Sequence, residues 1–224
     1  MKRPGTNVSP GWRSSRLTRM CSGMAAVLTA ALAGGCASSP PMRFYTLTPI
    51  APESSPTTPA ESVRIRLSRV TVPGELDRIQ IVKRIDATRL QIDDQNRWAA
   101  PLDEMIRRVL TADLAARLPA NAVADANGLA GGERLQTVSV DIQEFYADSA
   151  CAVTLRATWV LTPPQPAQGK SPTSPAKQVT EQTQVPSSGA CSGPDTVPES
   201  MSRALGLLSD RIAAVVALLT TAAR

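Results

Sequence analysis

Residues 101–118 read Pro101-Leu102-Asp103-Glu104-Met105-Ile106-Arg107-Arg108-Val109-Leu110-Thr111-Ala112-Asp113-Leu114-Ala115-Ala116-Arg117-Leu118. Leu102, Met105, Ile106, Val109 and Leu110 recur at three- and four-residue spacing, and Ala112, Leu114 and Leu118 broaden the stripe, so the segment predicts an amphipathic helix. Proline is tolerated in a first turn, where its missing N–H has no partner in any case. Asp103 and Glu104 sit where the helix dipole favours anions. Pro119 stops the helix. A second stripe, Met201, Leu205, Leu208, Ile212, Val215, Val216 and Leu219, predicts a long helix from Val197 to about Ala222. Two helices with one apolar face each require a partner layer.

The segments around the first helix supply that layer. Val63, Ile65 and Leu67 alternate with Arg64, Arg66 and Ser68. Val70 and Val72 resume the alternation out of phase, as across a bulge. Pro73-Gly74 ends this strand, and Leu76 to Ile79 form a turn. Ile79–Val82 and Arg89–Ile92 predict a hairpin around Asp86-Ala87-Thr88, with Asp93-Asp94-Gln95-Asn96 as a loop. After the helix comes an Ala/Gly/Asn-rich loop, 119–133, with room for a short strand at Val123. Val138, Val140 and Ile142 mark another strand. The run Cys151–Leu161 places Val153, Leu155, Ala157, Trp159 and Leu161 on one face of a longer one. A Pro-rich excursion, 162–176, leads to a polar strand, Lys177–Val185. The expected fold is α+β or α/β: a single domain with a mixed, largely antiparallel sheet packed against two long helices.

The 224-residue chain carries a formal charge of +5, with 24 Lys and Arg against 19 Asp and Glu. All of the excess lies in residues 1–35, which hold Lys2, Arg3, Arg13, Arg16 and Arg19 and no acid. From Cys36 onward there are 19 of each sign. The basic block, the apolar run Met24–Ala33 and the small residues before Cys36 predict a secretory signal over 1–35. The apolar run is too short for a spanning helix, which takes about 20 residues. With no Arg-Arg pair in the basic block, Sec-type export is expected. Leu32-Ala33-Gly34-Gly35-Cys36 resembles a bacterial lipobox, although Ala33 stands where that pattern prefers Leu. It predicts that Cys36 becomes an acylated N-terminus. The alternative is an ordinary signal cut nearby. Ala37, rather than Asp, points to the outer membrane by resemblance to enterobacterial sorting. The expected organisation is a signal peptide over 1–35, a lipidated tether with a short strand and a Pro/Ser-rich linker over 36–61, and a globular domain over 62–224. That domain runs from about 42 when the strand Phe44–Leu47 is counted with it.

Composition also excludes function classes. With no His there is no Ser-His-Asp triad, Cys-His dyad or His-containing zinc site. Aromatics at 3% do not build a base-stacking platform, so no nucleic-acid partner is expected. Cys21 leaves with the signal and Cys36 is modified. Cys151 and Cys191 remain, an even pair in an exported chain. A disulfide between them is expected, and two unpaired buried thiols are the alternative. No metal, cofactor or catalytic residue is expected, and no carboxylates group as a catalytic pair.

The ordered motifs resemble the PqiC family, the ABC-type transport auxiliary lipoproteins of Gram-negative bacteria. They are Cys36 with its polar tether; Arg43-Phe44-Tyr45-Thr46-Leu47; Val70-Thr71-Val72-Pro73 followed by Leu76-Asp77-Arg78; Gln80-Ile81-Val82; and Arg97-Trp98-Ala99 before Pro101-Leu102. The C-terminal helix after a Cys-containing loop matches too. The 119–133 loop and the 162–176 insert depart from the pattern. The resemblance implies an outer-membrane lipoprotein facing the periplasm, with no enzymatic role. It implies a homo-oligomer docking an MCE-family periplasmic protein and inner-membrane transporter components, and supporting lipid trafficking and envelope integrity. It makes Tyr45, Leu47, Pro73, Asp77, Arg78 and Trp98 possible partner contacts. The residues also carry structural readings. Tyr45 and Leu47 read as a core strand, Leu76-Asp77-Arg78 as a turn shaped by a local ion pair, and Trp98 as packing at the start of the helix. Arg64 and Arg66 read as a solvated strand face or a lipid head-group contact. A structural or assembly lipoprotein of the envelope, binding peptidoglycan or aiding outer-membrane assembly, is the competing function.

Overall fold

The computed structural model describes residues 41–52, 64–124, 135–164, 176–186, 191 and 193–222, with side chains to 218. The expected signal peptide, Cys36, most of the linker and most of the 162–176 insert lie outside these residues. Met42–Arg224 forms one compact unit. Its elements are β1 (Arg43–Tyr45), β2 (Ile65–Thr71), β3 (Gln80–Arg84), β4 (Leu90–Trp98), α1 (Leu102–Arg117), β5 (Gln136–Ala147), β6 (Val153–Thr162), β7 (Lys177–Val185) and α2 (Thr196–Ala222).

The strands form one seven-stranded mixed sheet in the order β1-β4-β3-β5-β6-β7, with β2 also paired to β5. The long ladders, β5–β6 and β6–β7, are antiparallel. The β1–β4 and β2–β5 pairings are parallel. β2 runs beside Gln136–Asp141 of β5, and β3 meets the same strand only at Ala147, through Lys83. The helices pack against each other, α1 on β2 and α2 on β5, β6 and β7. Val153, Leu155, Ala157, Trp159 and Leu161 are all buried. Alternation does this work: one face of β6 enters the core while Arg156 and Thr162 stay exposed. A fully buried Leu- or Phe-sized side chain is worth about 1.5–3 kcal/mol, so this row and the two helix stripes hold the layers together.

The irregularities are local and have causes. The phase shift in β2 is a bulge between Leu67 and Val70. There the Ser68 hydroxyl meets Ser139 Oγ at 3.0 Å and donates to the Val138 carbonyl at 3.3 Å. Val123 forms a single parallel bridge to Ile65.

Two sequence expectations are corrected. Residues 93–96 are not a loop between elements but lie within β4. Only Ile81 separates the β3 partners of Arg97 and Ile92, so the extra residues bulge outward. The Asp93 carboxylate stabilises the bulge by accepting the N–H groups of Gln95 and Asn96, each at 3.0 Å. Cys151 does not begin β6. It sits in the β5–β6 turn with φ 61°, and its N–H donates to the Asp148 carbonyl at 3.0 Å. No helix among the described residues is long and apolar enough to cross a membrane.

Candidate functional site

The motif residues converge on one corner of the sheet. β1 lies beside the end of β4 with Tyr45 opposite Trp98. The Tyr45 carbonyl accepts the Ala99 N–H at 2.8 Å, and Trp98 donates its N–H to the Ile79 carbonyl at 2.6 Å. Leu47 and Trp98 are buried at 3% exposure each, and Tyr45 is half-buried. The Tyr45 hydroxyl is raised above its ordinary range by burial and by Asp195, with Arg43 opposing. Pro73 begins the turn that leads here, its carbonyl accepting the N–H groups of Leu76 at 2.9 Å and Asp77 at 3.2 Å. Leu76 is buried, whereas Asp77 and Arg78 are exposed and share no salt bridge among the described residues. The turn is shaped by its backbone and the Leu76 side chain, not by the expected ion pair.

Immediately after this corner, residues 47–50 cross the helix pair and are held by a polar clamp. The Thr48 N–H donates to Ser202 Oγ on α2 at 3.1 Å, and the Ile50 N–H donates to Asp113 Oδ1 on α1 at 2.7 Å. Arg117 Nη1 donates to the Ile50 carbonyl at 2.8 Å and to the Asp113 carbonyl at 3.1 Å, while its Nε reaches Asp210. Its side chain is 5% exposed and that of Asp113 is fully buried. Burial raises the Asp113 carboxyl, with the Ile50 N–H and the Arg117 charge opposing. The Ile50 side chain fits against Gly206, where an added Cβ would come within 3.1 Å of Ile50 Cβ. Residues 47–50 are thus fastened to both helices.

A second polar cluster lies further along β5. Tyr146 donates its hydroxyl to Glu75 Oε1 at 2.6 Å, and the Arg84 guanidinium lies 4.2 Å from the Tyr146 ring centroid. Arg84 also pairs with Glu144 at 2.9 Å, and Arg156 pairs with the same carboxylate. The Cys151–Cys191 disulfide is formed, with Cα atoms 5.5 Å apart. It ties the β5–β6 turn to the segment before α2.

Sequence reasoning missed Asp113, Arg117, Ser202, Asp210 and the Glu75–Tyr146 pair. One signal was readable: Asp113 falls four residues after Val109, on the apolar stripe. A cavity of about 400 Å³ opens beside α1 between Glu104, Arg107, Arg108, Thr111 and Val123, and none of the motif residues line it. Among the described residues, no three His, Cys, Asp or Glu side chains converge as a metal site. The arrangement positions and fastens a chain segment.

The sequence profile of the ABC-type transport auxiliary lipoprotein component matches residues 45–213. The chain is 28% identical over 128 residues to the intermembrane transport lipoprotein PqiC of Escherichia coli K12, spanning 57% of this chain and 67% of the relative. The same values hold for its counterpart in Shigella flexneri. One uncharacterized protein of known crystal structure superposes with a TM-score of 0.62 at 22% identity, covering 79% of this chain and 99% of its own. A Xanthomonas campestris protein superposes at 0.59 and 17% identity, covering 80% and 97%. These two likenesses concern the fold alone. With the profile spanning both the motif corner and the clamp, the chain belongs to the ABC-type transport auxiliary lipoprotein family.

Proposed function

We propose that this protein is the outer-membrane lipoprotein of an MCE/ABC-type lipid transport system. In this reading it is acylated at Cys36, faces the periplasm and acts as a homo-oligomer. It docks an MCE-family protein that reaches toward inner-membrane transporter components, so that lipid moves between membranes and the envelope stays intact. The observation that carries the reading is the family match over 45–213, joined to the lipobox-like Leu32–Cys36 upstream of it. Three further features support it. The excess positive charge is confined to 1–35, leaving a formally neutral mature chain. Ala37 follows the acylated position. The clamp around Ile50 fastens the segment that follows the tether. One acyl chain binds a membrane marginally and two or more anchor it stably, so Cys36 needs no spanning helix to hold the domain at a bilayer.

Affinity purification of the full chain from detergent-solubilised envelopes tests this. The expected result is co-purification of an MCE-family protein. Recovery of peptidoglycan fragments without it would move the assignment to the structural or assembly class.

A further inference from the structure

Resting on the acylation of Cys36 proposed above, we infer that Met42 and Phe44 form a second, non-covalent membrane contact, seated in the head-group region of a phospholipid bilayer. Both are exposed, Met42 at 52% and Phe44 at 64%. Their i, i+2 spacing at an edge strand sends them to one side of it. Phe44 is in register with Arg97, which shares its face of the sheet, whereas Arg43 turns to the other face with Tyr45. Apolar side chains beside a long cationic one suit an interface, where the apolar groups enter the acyl boundary and the Arg97 guanidinium reaches toward the phosphates.

The length of the tether names the occupant. Met42 lies six residues after Cys36, and an extended chain spans at most about 3.3–3.6 Å per residue, roughly 20 Å in all. An acylated Cys36 therefore keeps these side chains within about that distance of the lipid surface. Short-leash tethering gives effective concentrations in the millimolar range, so two side chains with little intrinsic affinity are enough. Beyond Phe44 the chain is fixed by the Tyr45–Trp98 register and the Ile50 clamp, which makes β1 the first rigid element after the tether. Exposed Ile85, at the tip of the β3–β4 hairpin, lies at the opposite end of β4 from Phe44's partner Arg97 and has no such tether.

The test uses the acylated mature chain, from Cys36 onward and so without Trp12, carrying Phe44→Trp and reconstituted into phosphatidylethanolamine and phosphatidylglycerol vesicles with or without brominated phosphatidylcholine. Trp98 and Trp159, 3% and 0% exposed, give a fixed background. Trp at 44 is expected to shift to the blue and be quenched several-fold more than in wild type or an Ile85→Trp control. Emission unchanged by brominated lipid, with acyl chains on Cys36 confirmed by mass spectrometry, overturns this contact and leaves the proposed function standing. A blue shift that depends on protein concentration without vesicles also overturns it, because a second copy then covers the face. A chain lacking acyl groups overturns the proposed function; in that chain, quenching at 44 still supports the contact and its absence removes both.

Discussion

The Asp113 carboxylate, fully buried on α1, holds the main-chain N–H of Ile50 at 2.7 Å, joining a helix core position to a segment 63 residues earlier. Removing the carboxylate strands that N–H and leaves the nearly buried Arg117 with one carboxylate fewer. Breaking a buried pair from one side costs about 3–5 kcal/mol, and exposed Asp210 still serves Arg117. Asp113→Ala is therefore expected to lose about 3 kcal/mol in urea unfolding, at the low end of that range. Asp113→Asn keeps an acceptor for Ile50 and should lose less than half as much. Equal losses in the two variants would show that the hydrogen bond to Ile50 is not what matters.

Gly206 tests the same crossing from the other helix. Gly→Ala inside a helix ordinarily gains about 1 kcal/mol. Here the added Cβ would meet Ile50 Cβ at 3.1 Å, so the gain is consumed by crowding. Gly206→Ala is expected to be neutral or destabilising in the wild-type chain and stabilising in an Ile50→Gly background, which removes the opposing Cβ. A thermal-unfolding cycle reads the change of sign, and a gain in both backgrounds would contradict the contact.

Alkaline pH probes the Tyr146–Glu75 pair. Burial, then the hydrogen bond to Glu75 and its charge, push the Tyr146 hydroxyl up to about 12. The same bond holds the Glu75 carboxyl below its ordinary value. A raised tyrosine pKa means the folded state keeps its proton longer. Its contribution is intact below pH 10 and is lost as pH rises from 10 toward about 12. The chain has two tyrosines, so ultraviolet titration of Tyr45→Phe isolates Tyr146. A midpoint near 10 would contradict the hydrogen bond from buried Tyr146 to Glu75, and Tyr146→Phe should remove the loss between pH 10 and 12.

The disulfide closes a 40-residue separation. Chain-entropy arguments give about 3–4 kcal/mol for a loop of that size, and Cys191→Ser is expected to cost about that much in chemical denaturation. Cys151 also holds a left-handed backbone at φ 61°, which costs a side-chain-bearing residue about 1–2 kcal/mol. Adding Cys151→Gly to Cys191→Ser should therefore recover about 1 kcal/mol. No recovery would mean that the turn relaxes once it is unbridged.

These residues show how far sequence reading reaches. The α1 stripe and the alternation in β6 were legible because their periods differ and every buried position except Asp113 carries an apolar side chain. The bulge at 93–96 was not, because Asp-Asp-Gln-Asn has loop composition; the strand continues only because Asp93 satisfies its neighbours while Arg97 and Ile92 find β3. The motif corner was legible as a list of residues, but its assembly rests on β1 joining β4 in parallel across fifty residues. The clamp was hidden more deeply. A search for apolar stripes discounts Asp113, and its partner lies in a Pro- and Thr-rich segment with no periodicity at all.

The central claim, that this family member works from a membrane by an acyl anchor at Cys36, is tested most directly by labelling cells with radioactive palmitate and separating their membranes on a density gradient. The account predicts label on the wild-type chain in the outer-membrane fraction and none on Cys36→Ala, which is expected to leave that fraction. An unlabelled wild-type chain in the soluble periplasmic pool would contradict it.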